Sequence, residues 1–219
     1  MIILFDLDGT LIDSTDAILE SFHHSFDVHK HNRKKDEDIK ALIGYPLDIM
    51  YENLGVNKEL ISDFVATYKK HYRDISTQKT ELLRNAREAV LLAKEFATLG
   101  IVTTKTGIYS RILMEHFGLM EYFDVLIGRE DVDNPKPHEE PILKALKKMD
   151  IQNREIWMIG DTKLDLISAK NANINSIAVL SGYDNLETLK KFTNVILNDA
   201  LEAAAYLHDR KKQHTFLSS

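Results

Sequence analysis

Short apolar runs alternate with amphipathic stretches over most of the chain. Apolar runs bounded by turn residues predict buried strands, and apolar positions at a spacing of three or four predict helices. The stretch from Ala89 to Leu99 predicts a helix that ends at Gly100, and further helices separate the later strands. This alternation is typical of an α/β fold with a mostly parallel sheet. The predicted strands are residues 2–5, 100–104, 123–128, 155–161 and 174–180.

Residues 14–82 interrupt this alternation. They contain no convincing strand, and their apolar positions indicate several amphipathic helices, at residues 14–27, 36–44, 46–55 and 58–74. We therefore expect an all-helical domain at 14–82, an α/β core formed by 1–13 and 83–207, and a polar tail at 208–219. Open α/β sheets bind ligands at the carboxyl ends of their strands, where this insertion begins. The inserted domain is therefore expected to act as a lid.

Carboxylates stand at the carboxyl ends of two predicted strands. Asp6 and Asp8 follow the first strand, Asp161 ends the strand at 155–161, and Asp165 lies one helical turn later. Because parallel strands end at one edge of the sheet, these carboxylates are expected to converge there. Carboxylates this close repel one another unless a cation intervenes. Mg²⁺ suits such a site, since it uses few protein carboxylates and shares its shell with substrate phosphate.

Groups that bind phosphate are expected at the same edge. Thr103 and Thr104 follow the second core strand, Lys136 lies in a proline-bounded loop, and free backbone N–H groups are expected from Gly9 onwards. Together these groups would surround a phosphoryl group with positive potential. The sequence therefore predicts phosphoryl transfer.

The composition argues against a nucleic-acid-binding, membrane-spanning or secreted protein. Lys and Arg total 28 against 34 Asp and Glu, which gives a formal net charge of −6. This balance argues against a nucleic-acid surface, because phosphate backbones are bound mainly by clustered cations. The sequence has no cysteine, no apolar run of membrane-spanning length and no basic start typical of a signal peptide. We expect a soluble cytoplasmic protein, a monomer or homodimer, that does not bind membranes.

Four segments carry a resemblance to a known family. They are FDLDGTLIDS at 5–14, IVTTK at 101–105, KPHEEP at 136–141 and IGDTKLD at 159–165. In this order they resemble the motifs of the haloacid dehalogenase-like (HAD) superfamily, in its phosphoglycolate-phosphatase-like branch. The resemblance covers about residues 1 to 205. It implies a Rossmann-like core with an inserted helical cap.

The resemblance also implies catalytic roles. Asp6 would attack the phosphoryl group to form an aspartyl-phosphate, and Asp8 would act first as general acid and then as general base. Thr103 matches the second motif and would bind phosphate, whereas Thr104 stands where the family often has Asn or Ser. Lys136 would hold the phosphoryl oxygens and balance the charge of the nucleophile.

The metal ligands are implied in the same way. Asp161 would bind Mg²⁺ directly, together with Asp6 and the backbone carbonyl of Asp8. Asp165 would orient a metal-bound water or Lys136. Because Asp8 and the magnesium carboxylates occur together, the motifs favour hydrolysis of a phosphate ester or anhydride over carbon–halogen cleavage.

The substrate is less sharply indicated. Phosphoglycolate is the first expectation by resemblance, with pyrophosphate, a sugar phosphate or a nucleotide monophosphate as alternatives. A phosphosugar mutase and a non-catalytic module that binds a phosphorylated ligand are hypotheses of other classes. The segments at 82–90 and 168–176 depart from the family pattern. Candidate contacts in the cap or its hinge are Gly44, Tyr45, Pro46 and Arg84.

Overall fold

A parallel six-stranded sheet forms the centre of the protein. From one edge to the other, its strands are Val125–Ile127, Thr98–Val102, Ile2–Phe5, Ile156–Gly160, Asn175–Val179 and Ile196–Leu197. The computed structural model describes residues 1–152 and 154–217, with side chains described up to residue 213. A separate antiparallel pair joins the two remaining strands. The strands are β1 (Ile2–Phe5), β2 (Ile12–Asp13), β3 (Glu81–Leu82), β4 (Thr98–Val102), β5 (Val125–Ile127), β6 (Ile156–Gly160), β7 (Asn175–Val179) and β8 (Ile196–Leu197). The predicted α/β fold with a parallel sheet is confirmed.

Helices cover both faces of this sheet, which explains why its inner strands read as continuous apolar runs. The helices are α1 (Thr15–Val28), α2 (Asp36–Lys40), α3 (Leu47–Asn53), α4 (Ile61–Ile75), α5 (Ala86–Lys94), α6 (Gly107–His116), α7 (Glu140–Lys147), α8 (Lys163–Asn171), α9 (Leu186–Leu189) and α10 (Ala200–Leu217). On β1, Ile3 and Phe5 join the hydrophobic cluster formed with α5, α6 and α10, whereas Ile2 and Leu4 join the cluster formed with α7 and α8.

Gly100 lies inside β4 and does not end the preceding helix, so that part of the sequence prediction is wrong. Helix α5 ends at Lys94, and β4 begins at Thr98. A Cβ atom at Gly100 would lie 2.7 Å from Val125 Cγ1 and 2.8 Å from Leu4 Cδ2. Glycine is therefore required at this position by close packing between neighbouring strands, a tertiary constraint that resembles a helix stop in the sequence.

We call residues 14–82 the cap segment. Its helices α1 to α4 lie between β2 and β3, which pair with Ile12 opposite Leu82 and so bring the two connections to the core side by side. The buried side chains of the cap segment form a hydrophobic cluster of their own. Phe64 contacts the rings of Phe26 and Tyr51 at centroid distances of 5.5 and 5.3 Å. We propose that the cap segment is a separate domain.

The segment predicted as a polar tail is helical through residue 217, because α10 continues over it. Arg210 donates from Nε to Glu155 Oε1 at 2.9 Å and lies over the ring of Trp157, 5.4 Å from its centroid. The tail therefore begins as part of the core surface, and residues 218 and 219 lie outside the described residues. Within the described residues, no helix is long and apolar enough to cross a membrane.

Replacing Phe64 by alanine tests the cap segment as a domain. Phe64 is fully buried, so we expect Phe64→Ala to lower the free energy of unfolding by about 3–5 kcal/mol. Trp157 is the single tryptophan and lies in β6, so its fluorescence reports on the core. In urea titrations, the helix signal in circular dichroism should start to fall before the fluorescence changes.

Val28→Ala is the matched control, since Val28 is 53% exposed on α1 and its truncation should change stability by less than about 0.5 kcal/mol. Coincident transitions for Phe64→Ala in both signals would mean that the chain unfolds as one cooperative unit, contrary to the proposed division.

Candidate active site

The carboxyl ends of β1 and β6 bring Asp6 and Asp161 together. The N–H of Asp6 continues the pairing with β6 by donating to Ile159 O at 2.9 Å, and Asp161 follows β6 directly. Asp6, Asp161 and Asp165 each offer a carboxylate oxygen, and these three oxygens lie within 4.8 Å of one another. All three side chains are buried. The sheet edge therefore holds a compact acidic cluster, as the topology of parallel strands predicts.

Lys136 provides positive charge inside this cluster. Its Nζ donates to Asp6 Oδ1 at 2.7 Å, to Asp165 Oδ1 at 2.5 Å and to Val102 O at 3.0 Å. Burial would lower the pKa of Lys136, but the charges of Asp165 and Asp6 outweigh burial and raise the pKa. The ammonium is therefore protonated and fixed in place by three acceptors.

Asp165 connects Lys136 to the start of α8. Its Oδ2 accepts hydrogen bonds from Thr162 N at 3.0 Å and from Thr162 Oγ1 at 2.7 Å. These bonds satisfy donors at the helix N-terminus, where a negative charge is also favoured by the helix dipole. Asp165 is therefore held in one orientation, with its other oxygen on Lys136.

Asp161 is enclosed by donors and by two glycines. It accepts from Thr10 Oγ1 at 3.1 Å and from the backbone N of Tyr183 at 2.9 Å. A Cβ atom at Gly9 would lie 2.3 Å from Asp161 Oδ2, and one at Gly182 would lie 2.0 Å from it. Gly9 also has φ +83°, a left-handed conformation that favours glycine. The carboxylate thus occupies space that any side chain at these positions would fill.

The acidic cluster carries more negative charge than Lys136 balances. Burial and the neighbouring carboxylate of Asp165 raise the pKa of Asp6 to about 7, although Lys136 opposes them. Burial and the charges of Asp6 and Asp165 raise the pKa of Asp161 well above its usual range. A hard divalent cation with oxygen ligands relieves this repulsion, and buried carboxylates are its natural ligands. The three carboxylates could therefore hold a metal ion.

Asp8 faces away from the acidic cluster, towards the cap segment. Its carboxylate accepts a hydrogen bond from Ser14 Oγ and pairs with Lys105 Nζ, which lies 2.8 Å from Oδ2 and 3.1 Å from Oδ1. Burial would lower the pKa of Lys105, but the charge of Asp8 outweighs burial and raises the pKa. The aspartates at positions 6 and 8 therefore lie in different environments, as their different expected roles require.

The predicted phosphate-binding groups make their own contacts. Thr103 is buried, and its Oγ1 accepts from Lys105 N at 3.2 Å. Thr104 Oγ1 donates to Gly44 O at 2.8 Å, so it links the core to the cap segment. The N–H of Gly9 donates to Ile12 O at 2.8 Å and that of Thr10 to Leu7 O at 3.2 Å. The expectation of free amides therefore does not hold at these two positions.

A cavity of about 310 Å³ separates the cap segment from the core beside Asp8. Of the candidate cap or hinge contacts, Gly44 and Tyr45 line this cavity. Pro46 directly precedes α3, and Arg84 is exposed; neither is among the lining residues. Aromatic and apolar side chains dominate the wall, which also carries three cationic side chains and the three carboxylates of Asp8, Asp48 and Glu130. The lining includes Ile43, Leu47, Met50, Tyr68, Tyr72, Tyr109, Lys69, Lys105 and Arg129.

Sequence reasoning missed Lys105, Ser14 and Tyr183. Lys105 directly follows the two threonines of the second motif, so its position was a signal that could have been used. Tyr183 follows β7 at the same sheet edge, and its hydroxyl lies 3.1 Å from Thr15 Oγ1. Lys105 and Tyr183 contact residues that are distant in the chain, which no local pattern encodes.

Comparisons with known proteins agree with this geometry. The profile of the family described as haloacid dehalogenase-like hydrolase matches residues 3–179. Pyrophosphatase PpaX of Bacillus cereus (strain B4264) is 34% identical over 192 residues, which are 86% of this chain and 88% of that protein.

Solved structures share the fold. A haloacid dehalogenase-like family hydrolase from Streptococcus pneumoniae matches with a TM-score of 0.84 and 26% identity, over 94% of this chain and 97% of that chain. A protein from Haemophilus somnus, described as a predicted phosphoglycolate phosphatase, matches with a TM-score of 0.85 and 20% identity over the same shares, 94% and 97%. At that identity the likeness shows the fold alone.

Replacing Gly182 by alanine tests the packing around Asp161. The new Cβ would meet Asp161 Oδ2 at 2.0 Å, so the carboxylate must move. A displacement of about 1 Å in such a site can cost about 100-fold in rate. We expect Gly182→Ala to lower kcat for phosphate release by at least this factor, measured with a colorimetric phosphate assay.

Gly118→Ala is the control, because a Cβ at Gly118 meets nothing within 4 Å, although its φ of +63° strains the backbone. This variant should lose some stability and keep its kcat. Equal kcat for Gly182→Ala and the wild type would show that Asp161 tolerates displacement.

Proposed function

The chain belongs to the haloacid dehalogenase-like hydrolase family and is a phosphatase, and from this premise we propose that it is a Mg²⁺-dependent pyrophosphatase that uses Asp6 as nucleophile. The observation that carries the proposal is the convergence of Asp6, Asp161 and Asp165 around Lys136. Such an arrangement would combine the proposed nucleophile, the proposed metal ligands and a fixed cation within one buried cluster.

In the proposed reaction, a carboxylate oxygen of Asp6 attacks phosphorus and forms the P–O bond of an aspartyl-phosphate. The bond from phosphorus to the leaving oxygen breaks, and that oxygen takes a proton from Asp8. Asp8 must therefore be protonated, and no longer ion-paired with Lys105, when the substrate is bound. A water molecule then attacks phosphorus and gives a proton to Asp8, and the bond to Asp6 breaks. One pyrophosphate and one water thus become two phosphates, and both aspartates return to their starting states.

Lys136 and Thr103 support the first step. The Lys136 ammonium, 2.7 Å from Asp6 Oδ1, favours the ionised form of Asp6 that attacks. We propose that Thr103, buried directly after β4, binds a phosphoryl oxygen through its hydroxyl. Thr104 and Gly9, the other phosphate-site residues expected from the motifs, already donate to Gly44 O and Ile12 O and are not proposed as donors. Preorganised donors of this kind stabilise charge that develops in the transition state.

Asp6, Asp161 and the backbone carbonyl of Asp8 would hold the metal ion, with Asp165 beside them. When bound, Mg²⁺ supplies charge neutralisation and orients the phosphoryl oxygens. Mg²⁺ is proposed over Ca²⁺ because the site offers few protein carboxylates and Ca²⁺ prefers six to eight oxygen ligands. The chain's contribution is to fix these oxygens, through Thr10 and Tyr183 on Asp161.

Pyrophosphate is proposed as substrate because the relative at 34% identity is named a pyrophosphatase and matches most of this chain. Phosphoglycolate, the first expectation from the motifs, is the second candidate. It shares with pyrophosphate a second anionic group next to the phosphoryl group. Sugar phosphates and nucleotides are the next substrates to compare.

Two hypotheses of other classes make different predictions. A phosphosugar mutase would isomerise its substrate with little phosphate release and would require a bisphosphate activator. A binding module would retain phosphorylated ligands without turnover, although the Asp6 and Asp8 pair argues against it. We propose a cytoplasmic enzyme, monomeric or homodimeric, that acts on a small metabolite and not on nucleic acid.

Substitution of the nucleophile tests the reaction. We expect wild-type protein with Mg²⁺ to release phosphate from pyrophosphate faster than from phosphoglycolate, sugar phosphates or nucleotides. Asp6→Asn should reduce release to the level of a protein-free blank, because a carboxamide does not form the aspartyl-phosphate. Phosphate release over time with the full panel provides the measurement.

Asp209→Asn is the matched control, since Asp209 is an exposed carboxylate on α10 and its loss should leave turnover unchanged. Full activity of folded Asp6→Asn on pyrophosphate would exclude the proposed nucleophile. Isomerisation of a sugar phosphate without phosphate release would favour the mutase.

Metal removal tests the cofactor. We expect dialysis against EDTA to abolish phosphate release, Mg²⁺ to restore it and Ca²⁺ to restore it poorly. Mg²⁺ should also raise the thermal midpoint of the metal-free protein, since a ligand that binds the folded state stabilises it. Asp161→Asn should raise the Mg²⁺ concentration needed for half-maximal stabilisation by at least about tenfold. Undiminished turnover in EDTA would contradict a metal-dependent reaction.

A further inference from the structure

Lys105 is a nearly buried cation that the proposed chemistry does not use. Its side chain is 9% exposed and lies on the wall of the cavity between the core and the cap segment. Its Nζ contacts both oxygens of Asp8, lies 3.2 Å from Ser14 Oγ and stands 4.7 Å from the centroid of the Tyr72 ring. Burying an ammonium is costly unless an opposite charge accompanies it, and here Asp8 provides that charge.

The neighbouring groups leave capacity for an anion. Among the described residues, the buried hydroxyl of Tyr72 has no hydrogen-bond partner. Tyr72 lines the same cavity as Lys105. Of the other cations on the wall, Arg129 donates to Val132 O at 3.0 Å, and Lys69 is half-buried on α4. Lys105 and Tyr72 therefore form a donor pair beside Asp8.

The position of Lys105 relative to Asp8 decides which part of a substrate it meets. Asp8 is the proposed acid, so the leaving oxygen must come within hydrogen-bond distance of its carboxyl group. Lys105 Nζ lies 2.8 Å from that carboxyl group. Atoms one or two bonds beyond the leaving oxygen would therefore reach Lys105.

Resting on the proposed phosphatase function, we propose that Lys105 forms a subsite for a second anionic group on the leaving side of the scissile P–O bond. It thereby selects substrates such as pyrophosphate and phosphoglycolate over esters whose leaving group is a neutral alcohol. The second phosphate of pyrophosphate and the carboxylate of phosphoglycolate present the same chemistry to an ammonium, a localised negative charge on oxygen.

Lys105→Met tests the subsite, because methionine keeps an unbranched chain and removes the charge. The values of kcat/KM are measured for pyrophosphate and phosphoglycolate and, for comparison, for ethyl phosphate. We expect the ratio of the anionic substrates to ethyl phosphate to fall by about 10- to 100-fold, the usual effect of losing a hydrogen bond to a charged group. Lys105→Arg, which keeps the charge, should retain most of the ratio.

A uniform loss of kcat/KM on all three substrates would overturn the proposal, since it would mean that Lys105 only positions Asp8. Lys69→Met is the matched control, because Lys69 lines the same cavity. It should change the ratio less than Lys105→Met does, and an equal change would show that the cavity potential, not Lys105, discriminates.

Binding separates this proposal from the proposed function. Pyrophosphate affinity is measured by calorimetry with Mg²⁺ on Asp6→Asn and on the double variant with Lys105→Met. We expect about 10- to 100-fold weaker binding in the double variant. If the wild type releases no phosphate from any substrate, the proposed function fails, and the affinities still decide the subsite. Equal affinities would overturn the subsite whatever the turnover.

Discussion

Charge compensation by Lys136 is the interaction on which the site depends. Asp6 and Asp165 are both buried, and each has an oxygen within hydrogen-bond distance of the same ammonium. Removing one partner from such a buried network would leave an uncompensated charge, which costs about 3–5 kcal/mol. The loop that carries Lys136 is accordingly tied to α8, since Ser168 Oγ donates to His138 O at 2.7 Å and Asn171 donates to Pro137 O at 3.0 Å. The fold thus positions a cation where its carboxylates require one.

The sheet topology supplies the remaining constraint. Asp6 and Asp161 are far apart in the chain, but β1 and β6 are neighbours and end at one edge. That edge is crowded, and side chains at Gly9 and Gly182 would overlap the Asp161 carboxylate. The acidic cluster therefore depends on glycine at these two positions as much as on the acidic side chains. Burial and the neighbouring carboxylates also raise the pKa values of Asp6 and Asp161, and a bound cation would relieve this repulsion.

The sequence was sufficient where a strand end or a motif determined position. Asp6, Lys136 and Asp161 were named from such patterns, and the structure brings them together. Prediction from the sequence was poorer where packing between distant elements determines the role or the contacts of a residue. Gly100 has a strand-packing role that resembles a helix stop. The partners of Lys105 come from two separate parts of the chain, the first motif and helix α4. No periodicity records that Ser14, Tyr72 and Asp8 surround one ammonium, because the cap segment must first meet the core.

The residues proposed for catalysis and the residues proposed for substrate selection lie in different parts of the molecule. The acidic cluster lies within the core, and the residues that hold it there belong to the sheet edge and the loops that follow it. The cavity wall, in contrast, combines residues of the core with residues of the cap segment, including Tyr68 and Tyr72 of α4. Asp8 stands at the boundary, because it lies in the core between β1 and β2 and contacts Ser14, which begins the cap segment. We therefore expect substitutions in the cap segment to change the leaving group that is accepted while the proposed nucleophile and its carboxylate neighbours stay in place.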